Sequence, residues 1–193
     1  MRIRNRSTAA LAVAGLGLTT VAALGLASPA SAAAAECRGV AATIVGTAGA
    51  DEIEGTSGRD VIVALSGDDE IDGNGGDDLI CAGSGDDEID GGRGSDTIWG
   101  QTGRDEIDGG AGSDRIHGGS GNDDVDGDAG ADRIWGDAGN DDLAGGRGDD
   151  RISGGSGRDV LEGERGTDRL NGGPGKDRVH QGSAPDRDDN DDD

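Results

Sequence analysis

The chain has no phenylalanine and no tyrosine, and it carries only two tryptophans, two cysteines, three prolines and one methionine. Ile, Leu and Val together make up about 16% of its 193 residues. An enzyme of this length needs a larger and more aromatic core. Basic charge is also scarce: 17 Lys and Arg stand against 41 Asp and Glu, for a net charge of -24. That balance excludes the electrostatic footprint of a nucleic-acid binder. Low apolar content with high net charge is the composition of intrinsic disorder. The alternative is a repeat fold whose charge is neutralised by something that the sequence does not contain.

What the chain has is glycine, 41 of them, and a period. From Gly46 to His180 it divides without insertion into 15 units of nine residues: GTAGADEIE, GTSGRDVIV, ALSGDDEID, GNGGDDLIC and so on to GGPGKDRVH. Position four is Gly, position six Asp and position eight Ile, Leu or Val in every unit. Position one is Gly except at Ala64 and Ala82. Glycines at positions one and four are expected to permit positive φ and tight turns that expose carbonyl oxygens. Residues seven to nine form a minimal strand with one side chain inward. One aliphatic residue per nine makes no core alone, but stacked units make a continuous ladder.

The consensus G-G-x-G-x-D-x-U-x, with U aliphatic, resembles the RTX family of haemolysin-type calcium-binding repeats over about 70% of the chain. The resemblance implies an all-β fold, a right-handed parallel β-roll with two units per turn. Fifteen units then give about seven and a half turns, and a strand spacing of ~4.8 Å gives a rod of ~36 Å.

The resemblance also implies Ca²⁺. This hard cation takes six to eight oxygens from carboxylates and backbone carbonyls, which glycine turns and an adjacent Asp can supply. The implied ligands are Asp51, Asp60, Asp69, Asp78, Asp87, Asp96, Asp105, Asp114, Asp123, Asp132, Asp141, Asp150, Asp159, Asp168 and Asp177. Loops on one edge are 18 residues apart, so 15 units allow up to 13 pairs and about 13 ions, with weaker binding at end loops such as Asp51 and Asp177. Thr47, Leu65, Gln101 and Glu164 depart from Gly at position two, and Pro174 stands at position three, so affinity is expected to vary there. An EF-hand is excluded: the start Asp68-x-Glu70-x-Asp72-Gly73 meets Leu79 where the bidentate acid belongs, and Asp86-x-Glu88-x-Asp90-Gly91 meets Thr97.

Two units per turn make the faces differ. Odd units place Glu52 and Glu54, Glu70 and Asp72, Glu88 and Asp90, Glu106 and Asp108, and Asp124 and Asp126 outward. Even units place Val61 and Val63, Leu79 and Cys81, Thr97 and Trp99, Arg115 and His117, Arg133 and Trp135 outward, with Arg151 and Arg169 continuing the row. Stacked like charges repel, so the acidic face is expected to need cations. The Arg/Trp face raises an alternative, an extracellular adhesin or ligand-binding module with a cell-wall or glycan partner.

The remaining segments read differently. Residues 1–32 hold three Arg, an apolar stretch and the small-x-small site Ala30-Ser31-Ala32, which is the order of a secretory signal peptide. Secretion and an oxidising environment follow, with no membrane span once it is cleaved. Residues 33–45 are expected to cap the first turn, with 37–42 folded over Val61, Val63 and Leu79, and Cys37 paired with Cys81. Residues 181–193 are acidic, lack aliphatic residues and read as a disordered tail. Neither H-E-x-x-H nor G-x-S-x-G occurs, and His117 and His180 are expected on opposite faces without fixed partners. No enzyme is implied.

Overall fold

The computed structural model describes residues 35–182; the expected signal peptide, and the tail from residue 183 on, lie outside them. Among the described residues every regular element is a strand. One parallel sheet of eight collects the odd units: Glu52–Glu54, Glu70–Asp72, Glu88–Asp90, Glu106–Asp108, Asp124–Asp126, Asp142–Ala144, Val160–Glu162 and Arg178–His180. A second parallel sheet of eight collects the even units: Ile44–Val45, Val61–Ser66, Leu79–Ser84, Thr97–Thr102, Arg115–Ser120, Arg133–Ala138, Arg151–Ser156 and Arg169–Asn171. The chain is a parallel β-roll. Its first turn is completed by a strand of the degenerate unit that precedes Gly46, which gives eight strands per sheet where the regular units alone give seven and a half turns.

The register is that of the period. Ile53 pairs with Ile71, Ile62 with Ile80 and Ile107 with Val125, always 18 residues apart. The aliphatic residue of each unit points between the sheets, and from Ile53 to Leu161 all are at most 7% exposed. Ala64 and Ala82, at position one, join the same cluster. Because each turn repeats its neighbour, one inward side chain per unit is enough: the ladder is buried by its own copies above and below.

Among the described residues the N-terminal segment packs, as expected, on Val61, Val63 and Leu79. Glu36–Cys37 and Val40–Ala41 form an antiparallel hairpin, turning on Arg38 (φ 52°) and Gly39 (φ 83°), where two successive positive φ angles give a turn whose twist suits a hairpin. The hairpin lies on the outer face of the even sheet, where Cys37, Val61, Val63, Leu79 and Cys81 form a second buried cluster with Trp99 against it. The expected disulfide is present, joining Cys37 to Cys81 with Cα atoms 5.7 Å apart.

One expectation needs correcting. The left-handed positions are two and four, not one and four: Gly92 (φ 87°), Gly110 (φ 86°) and Gly146 (φ 82°) hold position two. From the third unit on, the backbone is left-handed at position two even where the residue is not glycine, at Leu65 (φ 86°), Asn74 (φ 64°), Gln101 (φ 79°), Asp128 (φ 62°), Asp137 (φ 69°) and Glu164 (φ 60°); Thr47 and Thr56 in the first two units are not. At the position-one glycines a Cβ would crowd the carbonyl of the next turn or the Oδ2 of the unit's own Asp.

Candidate metal centre

The fifteen Asp at position six form two stacks, one along each edge of the roll, and all but Asp51 and Asp177 are buried. Within a stack the backbone N–H of each Asp donates to Oδ1 of the Asp 18 residues on. The bond is 2.8 Å from Asp51 to Asp69, 2.7 Å from Asp60 to Asp78, 2.8 Å from Asp96 to Asp114 and 2.9 Å from Asp132 to Asp150. Thirteen such bonds run from Asp51 to Asp177, one for each pair of loops that the period allows.

The other carboxylate oxygen is different. Oδ2 of Asp69, Asp78, Asp87, Asp96, Asp105, Asp114, Asp123, Asp132, Asp141, Asp150, Asp159 and Asp168 is buried without a hydrogen-bond partner. A buried charged oxygen left unpaired is a large penalty, and twelve in two columns would make the roll unstable by itself. In the ten of these units where position one is glycine, Oδ2 faces that glycine. A Cβ built on Gly73 would lie 3.1 Å from Asp78 Oδ2 and 2.6 Å from the carbonyl oxygen of Gly91 in the next turn. One built on Gly91 would lie 3.1 Å from Asp96 Oδ2 and 2.7 Å from the Gly109 carbonyl. An orphaned carboxylate oxygen and a backbone carbonyl thus stand side by side at the position-one glycine, oxygens of the kind that a hard divalent cation takes. At Ala64 and Ala82 a methyl occupies the corresponding place beside Asp69 and Asp87. Among the described residues no three His, Cys, Asp or Glu side chains converge as a metal cluster; each cradle offers one carboxylate and otherwise backbone oxygen.

Burial pushes these carboxyls up, against the opposing pull of the N–H from the neighbouring turn, and the Asp above and below add repulsion. Asp105, Asp114 and Asp141 are raised to about 7 and Asp87, Asp96, Asp132 and Asp150 to about 6. Asp69, Asp78, Asp123 and Asp159 move in the same direction for the same first cause. Carboxyls raised in this way hold protons that a bound cation would replace.

The first two loops are built otherwise. Asp51 Oδ2 accepts from the Thr47 N–H at 2.6 Å and its hydroxyl at 3.0 Å, and Asp60 Oδ2 accepts from the Thr56 N–H at 2.7 Å and its hydroxyl at 2.9 Å. Threonine at position two closes these loops internally, so Asp51 and Asp60 have no orphaned Oδ2. Asp177, in the last loop, is only half-buried.

Sequence reasoning also missed position five. There the side-chain oxygen of one unit accepts from the N–H of position five two units on: Asp77 from Ser95 at 2.8 Å, Asp86 from Arg104 at 2.8 Å, Asn122 from Asn140 at 2.8 Å and Asp149 from Thr167 at 2.9 Å. This ladder runs opposite to that of position six. Its signal was a run of Asp, Ser and Asn at position five.

The expectation that His117 has no fixed partner is overturned. Its ring stacks between Trp99 (centroids 5.8 Å apart) and Trp135 (4.4 Å), its Nδ1 lies 3.0 Å from Asp137 Oδ2, and the Arg38 guanidinium sits 4.7 Å from the Trp99 ring centroid. All three aromatic residues hold position nine of even units, so the 18-residue register stacks them.

No curated protein matches the chain in a sequence comparison. A family model does: the RTX calcium-binding nonapeptide repeat matches residues 45–80, 54–89, 82–116, 90–125, 117–152 and 144–179. The matched stretches overlap into one block that takes in every orphaned carboxylate of the two columns. With period, roll and cradle in agreement, the chain belongs to the family of RTX calcium-binding nonapeptide repeat proteins.

Proposed function

We propose that this is a secreted protein whose roll is a calcium-responsive structural or cell-surface element, ordered by Ca²⁺ held along its two edges. The observation that carries the reading is the pair of columns of buried, unpartnered Oδ2 atoms facing the position-one space. The ligating groups in this reading are the twelve orphaned Asp with neighbouring backbone carbonyls. Asp51, Asp60 and Asp177 stand at the ends as weaker or vacant positions. The repeat block holds 12 basic and 34 acidic residues, so about a dozen divalent ions would offset its net charge of -22. Where sites exist only in the folded chain, binding free energy is folding free energy. The disulfide and the leader-like order of residues 1–32 support export. The Arg/Trp sheet gains no support as a glycan site: Trp99 and Trp135 each turn one face to His117.

The test is a far-UV circular dichroism titration of the full chain without residues 1–32. A disordered spectrum in chelator that becomes a β spectrum in millimolar Ca²⁺, and not in equal ionic strength of Na⁺, is the expected result. No calcium-dependent gain would overturn the reading.

A further inference from the structure

The two ends of the roll are edges of parallel sheets, and their charges are of opposite sign. Down the acidic sheet, position seven reads Glu52, Glu70, Glu88, Glu106, Asp124, Asp142, Val160 and Arg178, each paired with the next. Position nine reads Glu54, Asp72, Asp90, Asp108, Asp126, Ala144, Glu162 and His180 in the same register. The first five pairings at position seven and the first four at position nine place acid against acid, which is repulsive. Only the last strand carries Arg and His, at the two outward positions where the first strand carries Glu.

Both edges are open among the described residues. Glu52–Glu54 and Arg178–His180 are the terminal strands of their sheet, as are Ile44–Val45 and Arg169–Asn171 of the other. The disulfide-tied hairpin lies on the outer face of the even sheet and leaves both first strands unpaired on their outer side. Apolar residues stand exposed at each end, Val45 at 48% and Val179 at 44%. Unpaired edges of this kind template further strands unless they are blunted.

We infer that the C-terminal edge of one copy docks on the N-terminal edge of a second copy, continuing the roll head to tail. In the continued register Arg178 meets Glu52, Val179 meets Ile53, His180 meets Glu54 and Leu170 meets Ile44. The Asp177 N–H falls opposite Asp51, extending the ladder of thirteen N–H to carboxylate bonds across the junction. The contact is heterologous, so it does not close and lengthens into rods. The Arg178 to Glu52 pair is the acid–base pair that the interior of the acidic sheet lacks, and His180 to Glu54 repeats the pairing that His180 already makes with Glu162 inside it. The inference rests on the calcium-ordered roll of the proposed function.

Sedimentation velocity of the full chain over a hundredfold concentration range, in saturating Ca²⁺, tests it, with circular dichroism on the same samples to report the fold. Concentration-dependent species larger than a monomer are expected. Arg178→Glu and Glu52→Arg should each weaken association at least tenfold while keeping the β spectrum, and a mixture of the two variants should restore it. A chain that shows the β spectrum yet remains monomeric at every concentration would overturn the inference. So would association that neither variant changes, or association that appears only when residues 183–193 are deleted, because that segment would then be the occupant of the edge. A missing β spectrum instead counts against the calcium reading, so the two failures are distinguishable.

Discussion

The backbone N–H of Asp96 donates to Oδ1 of Asp114 at 2.8 Å, while Oδ2 of the same Asp114 is buried without a partner. One carboxylate therefore has a structural oxygen and an unassigned one, and substitution separates them. Asp114→Asn keeps an Oδ1-like acceptor and replaces the orphan by an amide. The calcium midpoint of the β transition should rise roughly tenfold, equivalent to about 1.4 kcal/mol. Asp114→Ala also strands the Asp96 N–H in the interior, which adds about 1–3 kcal/mol and should push the midpoint further. Equal effects from the two would show that Oδ2 has no role in binding.

Acidity should do part of what calcium does. The carboxyls of Asp105, Asp114 and Asp141 stand at about 7 and those of Asp87, Asp96, Asp132 and Asp150 at about 6 in the metal-free roll, against 3.8 when unfolded. Between those values the folded state binds more protons than the unfolded one, so metal-free stability falls as pH rises through that window. Lowering the pH in chelator from 8 to 5 should therefore recover β signal, while calcium affinity, which requires the deprotonated groups, falls over the same range. Metal-free β signal that grows as pH is raised would contradict this assignment.

The disulfide should act on the same equilibrium from the unfolded side. Closing 44 residues between Cys37 and Cys81 restricts the unfolded chain by roughly 4 kcal/mol in the chain-entropy account. A Cys37→Ser/Cys81→Ser variant should need more calcium to fold. Its Trp emission in saturating calcium should shift to the red, because the hairpin that carries Arg38 onto the Trp99 ring is no longer tied down. An unchanged calcium midpoint on substitution would argue that the hairpin is already ordered without the bond.

Much of this was legible because the period does the folding. Once Asp, Gly and an aliphatic residue recur every nine positions, the register, the two faces, the core ladder and the place of Cys81 beneath the first residues all follow from stacking. What the period hides is whatever depends on which atom points where. Position one and position two are both usually glycine, and only the backbone shows that Gln101 tolerates φ 79° whereas Gly100 is hemmed in by Asp105 and the Gly118 carbonyl. Thr47 reads as a departure from consensus, yet Thr47 and its equivalent Thr56 donate to the carboxylate oxygens that are orphaned elsewhere. The His117 stack was recoverable: Trp99, His117 and Trp135 are 18 residues apart in sequence, and the two-unit turn places them in one column.

Position one gives the sharpest remaining test, because the sequence contains its own control. Ala64 and Ala82 carry a methyl there, are fully buried, and leave Asp69 and Asp87 buried beside them, so the fold accepts the group. A methyl on Gly100 would press on Oδ2 of Asp105 and on the carbonyl of Gly118, the two oxygens that face the cradle. Gly100→Ala should therefore leave the β spectrum at saturating calcium intact while weakening binding at that loop, by roughly tenfold or about 1.4 kcal/mol. Ala82→Gly should do the reverse at Asp87, at a small loss of buried apolar surface in the core. Calorimetric titration of the two variants against the parent chain measures both. If Gly100→Ala lowered thermal stability in chelator and in calcium by the same amount, position one would be glycine for backbone packing alone, and the space beside Oδ2 would not be the place where the ion sits.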